Sequence, residues 1–184
     1  SNTESWVVGH NSIGFTKNLF LNLTNAEASS STIWQDTAPT SSVFSIGTSD
    51  GVNKSSGAHI AYLWASVDGF SKFGSYTGNG NADGPFVYTG FKPALVILKV
   101  SSNSPTGWII LDNKRDTFNS VNHVLQPNNS ETEVSGSDNW DFNSNGFKLR
   151  TTWAAANGSG YTVTYVAFAE HPFANPDGAP ATAR

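Results

Sequence analysis

The sequence predicts an all-β fold, a β-sandwich of jelly-roll-like character built from two duplicated halves. Three observations carry this reading. Short apolar runs are separated by Gly, Asn, Ser and Pro turns at intervals of roughly 8–12 residues. No segment carries an apolar stripe of helical period; Ala154–Ala156 is too short and is followed by Gly158 and Gly160. Finally, the 27-residue plan of Phe147–Phe173, a strand, a Gly/Asn/Ser turn and a long apolar strand, also occurs at Phe44–Phe70, a constant offset of 103 positions. Phe44/Phe147, Thr48/Thr151, Ser56/Ser159, Gly57/Gly160, Tyr62/Tyr165 and Phe70/Phe173 are identical in that register, which reads as one supersecondary unit used twice.

The chain of 184 residues is expected to form a single domain over 1–184, long enough to bury a core without staples. It contains no cysteine, so disulfides and thiolate metal sites are excluded. Only 13% of residues are charged, the net charge is −4, and there are no Lys/Arg runs. That balance argues against a nucleic-acid partner. No apolar run approaches a membrane span, and no signal peptide opens the chain. With no methionine present, Ser1 is not expected to be the translated start. The Asn-, Ser-, Thr- and Gly-rich surface is the usual composition of extracellular or virion β-proteins, and that is the expected location.

Taken in order, Glu4–Gly9 is a short strand, and Asn18–Leu23 alternates Leu19, Leu21 and Leu23 against Phe20 as a half-buried strand does. Residues 24–40 form a polar loop anchored by Trp34. Ser42–Thr48 is a strand, and Ala58–Ser66 (AHIAYLWAS) is a nearly continuous apolar strand of the kind covered on both faces. Phe70–Tyr76 leads into the dense turn TGNGNADGP, followed by strands at Phe86–Phe91, Pro93–Val100 and Trp108–Asp112, the last two a hairpin. Val121–Leu125, Trp140–Asn143, Phe147–Thr152 and Tyr161–Ala169 complete the strands; 126–138 is a polar loop, and 174–184 a coreless C-terminal arm.

The repeat extends outward. Trp6-Val7-Val8 echoes Trp108-Ile109-Ile110, so that 6–70 aligns with 108–173. In this alignment Trp108–Asp112 has an upstream partner strand, Pro93–Val100, whereas Trp6–Gly9 has none. Its backbone N–H and C=O groups must pair somewhere. The N-terminal strand Ser5, Trp6, Val7, Val8 and Gly9 is therefore the candidate assembly strand, exchanged between subunits in the manner of donor-strand complementation; packing within its own sheet is the alternative.

The segments FLNLTNAEASSSTIWQDTAPTSSVFSIGT, GFSKFGSYTGNGNADGPFVYTGFKPALVILK, NGFKLRTT and AFAEHPF resemble a domain family that recurs in large structural and tail-fibre proteins of phages, especially from aquatic environments. The resemblance runs from Trp6 to Arg184. It implies a virion or fibre component with an all-β fold and carries no catalytic residues across. The domain stands nearly alone here, which points toward a self-assembling extracellular fibril subunit.

The chemistry-bearing motifs are weak. Asn79, Asn81, Asp83 and Gly84 match the first half of a calcium loop, but Gly90 stands where the bidentate Glu belongs, so a hairpin turn is the better reading. His10, His59, His123 and His171 form no close-spaced pair, no G-x-S-x-G elbow exists, and no carboxylate pair is evident. The expectation is a non-enzymatic protein without cofactor or metal. Trp34, Trp140 and Trp153 lie in or beside polar loops and are the candidates for stacking on a sugar ring. Asn53, Asn128 and Asn157 head N-x-S/T sequons in turns and are candidate glycosylation sites; Asn22 heads a fourth inside a predicted strand. Two functions follow: a structural subunit that homo-oligomerises into a fibre by β-strand pairing, or a receptor-binding module for a cell-surface glycan.

Overall fold

A computed structural model describes residues 4–172; the predicted arm 174–184, and Phe173 with it, lie outside that range. The chain is mostly β, arranged as three antiparallel sheets. The first sheet contains β1 (Val7–His10), β2 (Gly14–Phe20) and β3 (Ala28–Ser29) in the order β1-β2-β3. The second has the order β4-β11-β6-β7, with β4 Ser71–Thr77, β6 Pro93–Val100, β7 Trp108–Asp112 and β11 Thr162–Ala169. The third has the order β5-β10-β9-β8, with β5 Phe86–Tyr88, β8 Val121–Val124, β9 Val134–Asn143 and β10 Gly146–Leu149. Three four-residue helices, α1 (Ser31–Trp34), α2 (Asp50–Asn53) and α3 (Ala154–Asn157), and a 3-10 turn at Asn11–Ile13 connect them. No described helix is long and apolar enough to cross a membrane.

The main core draws on both four-stranded sheets. Val96, Leu98 and Val100 of β6, Ile109 and Leu111 of β7, and Val163, Tyr165 and Ala167 of β11 join Trp140, Phe142, Phe147 and Leu149 from β9 and β10. A second, smaller core of Ile13, Leu19 and Trp108, with Val8, Leu21 and Ile97 packed against it, seats the three-stranded sheet on the far side of β6 and β7. Strand alternation explains the division: even positions of β6 enter the main core, while Ile97 faces the small one. A strand covered on both faces has no need of polar alternation, and PALVILKV has only Lys99 as a polar member.

The predicted hairpin of Pro93–Val100 with Trp108–Asp112 is present, Ile97 opposite Ile110. Tyr161–Ala169 becomes β11, paired on both sides. Two predicted strands are absent. Ser42–Thr48 is irregular: Gly47 N–H and Ser49 N–H donate to the carbonyls of Ile33 and Thr32, and Asn53 Nδ2 holds Gly47 O at 2.9 Å, so this stretch is tied to α1 and α2 rather than to a sheet. Ala58–Ser66, predicted to be central and buried, is in no strand and is exposed throughout. Its chain begins a pairing with β4, where Val67 and Ser71 exchange both backbone hydrogen bonds, and then leaves it. Ser71 Oγ takes the Ala65 carbonyl and Ser66 Oγ takes the Phe73 N–H, so hydroxyls intercept the backbone groups that would continue the ladder. In the other direction, β9 begins at Val134, inside the predicted polar loop.

Candidate assembly surface

β1 is extended because Trp6, Val7 and Val8 alternate against a partner strand, and it pairs with β2 as Val7↔Phe20 and Val8↔Leu19. Asn22 fixes its start: Oδ1 accepts from Trp6 N–H at 3.0 Å, and Leu21 N–H donates to Trp6 O at 2.9 Å. Among the described residues, then, the N-terminal strand finds a neighbour within its own chain. It remains an edge strand. Trp6 and Val8 turn their backbone groups toward β2, so those of Val7 point to the open side by antiparallel alternation. Trp6 keeps 55% of its surface exposed. A cleft of about 230 Å³ adjoins the strand, lined by Ser5 and Val7 together with Ile33 and Gly51.

Gly9 and Trp34, singled out separately in the sequence, meet in the structure. A Cβ at Gly9 would lie 3.2 Å from the Trp34 ring and 3.0 Å from Phe15, and Phe15 meets Trp34 edge-on at 6.4 Å. Trp34 is therefore half-buried as the anchor of α1, its indole N–H enclosed without a partner. Trp140 is fully buried in the main core at 0% exposure and has no face to offer a sugar; its strand alternation, not its polar neighbours, decides its direction. Trp153 packs against the same core from the mouth of α3.

The sequons divide similarly. Asn157 is completely buried: Nδ2 donates to Thr151 O at 2.7 Å and Asn81 O at 2.8 Å, and Oδ1 accepts from Asn79 N–H at 2.8 Å. Its amide has no room for a glycan. Asn128 uses Oδ1 to hold Trp108 N–H at 2.7 Å, and Asn53 is exposed at the end of α2. The Asn79–Gly84 segment is a chain of side-chain-capped turns, Asn79 Oδ1 to Asn81 N–H and Asn81 Oδ1 to Asp83 N–H, both at 2.9 Å. Its carboxylate, Asp83, is paired with Lys148 at 2.7 Å, and that hydrogen bond holds it below the usual carboxylate range.

Other charges fix loops. Arg115 bridges Asp112 at 2.6 Å and Glu133 at 2.9 Å. Asp116 accepts from the N–H groups of Asn122 and His123 at 2.8 Å each. Burial raises the Asp116 carboxyl, and the hydrogen bonds of His123 and Asn122 outweigh it, leaving a net lowering. Lys99, fully buried, donates to the carbonyls of Thr24 and Thr106 and to Thr106 Oγ1, which ties the loop after β2 to the β6–β7 turn. Burial lowers its pKa to about 8. Sequence reasoning missed Lys99 and the structural role of Asn157. The signal for the first was present, a lone cation inside an otherwise apolar strand.

The apolar surface that stands out is 58–66. Ile60, Tyr62, Leu63 and Trp64 are each at least 60% exposed, and the rings of Tyr62 and Trp64 stack 6.1 Å apart at 17°, as residues i and i+2 of an extended chain do.

The chain belongs to the DUF7483 family, a domain of unknown function, with a match spanning residues 1–172. No curated protein and no solved structure matches it.

Proposed function

We propose that this protein is a non-enzymatic structural subunit of an extracellular or virion fibre that assembles through β-strand pairing. On this reading the domain is a jelly-roll-like β-sandwich derived from a duplicated unit. The observation that carries the proposal is the open outer edge of β1 at Val7, beside the exposed Trp6. An unpaired, partly apolar edge is a template for another strand. The sequence resemblance to phage structural and tail-fibre domains supports the same reading.

The test is Val7→Pro. Proline removes the outward N–H while sparing the β1–β2 bonds made by Trp6 and Val8. Filaments seen for the unaltered protein by negative-stain microscopy should disappear, with the far-UV circular dichroism unchanged. Filaments that persist in this variant, and also after deletion of Ser1–Gly9, would remove β1 from the assembly.

The second reading is a receptor-binding module for a cell-surface glycan. Its support is an open groove of about 450 Å³ lined by Thr16, Ser29–Thr32 and Asp36, a surface of hydroxyls and one carboxylate next to Trp34. Glycan-array signal lost on Asp36→Ala would favour it.

A further inference from the structure

We infer that residues 58–64 of the Ala58–Ser66 segment are an exchange strand, which leaves its own chain and pairs antiparallel with the free edge of β4 in a second copy of this protein. The inference rests on the strand-pairing reading above, and it names a donor and an acceptor other than β1.

The donor side is a segment with the composition of a buried strand and the surroundings of a loop. Ile60, Tyr62, Leu63 and Trp64 are left at least 60% exposed, forgoing the hydrophobic stabilisation that burial would give each of these large side chains. Its sequence likeness to Tyr161–Ala169 is to a strand that is paired on both sides, by β4 and by β6. Neither edge of 58–64 has a backbone hydrogen bond among the described residues.

The acceptor is β4, an edge strand of its sheet. Ala169 N–H donates to Phe70 O, and Gly78 N–H to Tyr161 O. Alternation therefore turns the backbone groups of Lys72, Gly74 and Tyr76 toward β11, and those of Ser71, Phe73, Ser75 and Thr77 outward. Ser71 is satisfied by Val67, and Phe73 N–H by Ser66 Oγ. The outward groups of Ser75 and Thr77 have no partner among the described residues.

Donor and acceptor match in register. The Val67↔Ser71 bridge, continued residue by residue, sets Leu63 opposite Ser75 and Ala61 opposite Thr77. The chain does not continue it, because the hydroxyls of Ser66 and Ser71 divert the backbone at the second step. The tight turn over Val67–Ser71, with Gly69 at φ +71°, stays closed. Thus one chain presents an unpaired strand and a free edge that accepts it, and its own turn chemistry keeps the two apart. A second copy resolves both deficits. Reciprocal exchange closes a two-fold dimer, and onward exchange gives an open filament.

The absence of cysteine from the chain allows a clean test. Leu63→Cys and Ser75→Cys are made as separate full-length proteins; both positions are exposed, so neither change disturbs the core. Directly opposed residues of an antiparallel pair have Cα atoms about 5.5 Å apart, inside the disulfide-compatible range of about 4.4–6.8 Å. Equal amounts are mixed, oxidised mildly and run without reductant. The expected result is a species of doubled mass that disappears on reduction, in which mass spectrometry finds the peptide carrying position 63 joined to the peptide carrying position 75. A mixture that stays monomeric, or that gives only self-paired dimers, overturns the inference. So does an internal disulfide in the L63C/S75C double variant when the mixed singles stay monomeric, since the segment then closes on its own β4. Negative-stain images of the unaltered protein separate the two proposals. Filaments without the 63–75 cross-link leave the fibre reading standing and remove the exchange strand. The cross-link without filaments does the reverse.

Discussion

Asn157 and Asn79 hold each other across 78 positions of sequence. Asn157 Oδ1 accepts from Asn79 N–H at 2.8 Å, and Asn157 Nδ2 lies 3.1 Å from Asn79 Oδ1. The same amide reaches Thr151 O and Asn81 O. One buried side chain therefore ties α3 to the turn between β4 and β5.

Asn157→Ala removes these four hydrogen bonds from a completely buried position. The expected loss is about 3 kcal/mol, a fall in melting temperature of roughly 6–12 °C for a chain of this size, read by thermal circular dichroism. Asn157→Asp keeps the acceptor but loses the donors and should be destabilised comparably. The protein expressed in a glycosylating host should carry no glycan at Asn157, which intact-peptide mass spectrometry reads directly.

Lys99 sets two effects against each other. Its pKa is lowered from 10.5 to about 8 by burial, which corresponds to roughly 3 kcal/mol of cost for the charged form. Replacement by Met removes that cost but takes from Thr106 O its donor, at about 1–3 kcal/mol; Thr24 O keeps the Thr106 N–H, and Thr106 Oγ1 keeps Val100 O and Asn103 O. The two effects nearly balance, and Lys99→Met should change stability at pH 7 by no more than about 1–2 kcal/mol. Between pH 8 and 10.5 the unfolded chain holds a proton that the folded one has released, so stability gains from this residue as pH rises through that window. Chemical denaturation across the window should show that gain in the unaltered protein and lose it in Lys99→Met.

His10 works in the opposite pH range. Its Nε2–H donates to Tyr165 O at 3.1 Å, and Nδ1 accepts from Ser12 N–H at 3.1 Å, so the neutral ring is the form the structure uses. Burial lowers its pKa below 6.5, with the Tyr165 carbonyl opposing in part. The unfolded chain then takes up its proton first. The His10 contribution is intact above pH 6.5 and declines as the pH falls from there toward the depressed folded value. Melting temperatures of the unaltered protein and His10→Gln, compared from pH 7.5 to 5, should converge on acidification. A constant difference would show that His10 does not titrate in this way.

Gly146 lies where β10 meets β5. A Cβ there would sit 2.1 Å from Val87 O, and backbone cannot yield as a flexible side chain does. Gly146→Ala should cost about 1–3 kcal/mol and detach β5 first, seen as faster amide exchange at Val87 relative to β6.

The sequence made the strands around the core legible where periodicity and burial agree. Pro93–Val100 and Trp108–Asp112 read correctly because both are apolar and joined by a short turn. Val134–Asn143 did not, since VSGSD has no apolar period to announce a strand. Trp140 was misassigned because Asn139 and Asp141 surround it with polarity, whereas in a strand its neighbours face the opposite way. Ala58–Ser66 failed for a different reason. Its composition describes a buried strand, but burial also requires a neighbour, and composition cannot supply one. That same mismatch, a strand sequence without a sheet, is what motivates the exchange-strand proposal.

The central claim is assembly by strand pairing, and negative-stain electron microscopy of the purified full chain at neutral pH tests it most directly. The account predicts regular filaments whose formation is blocked by Val7→Pro or by capping the β4 edge. A uniform population of single particles, unchanged at high concentration and binding a glycan on an array, would contradict it.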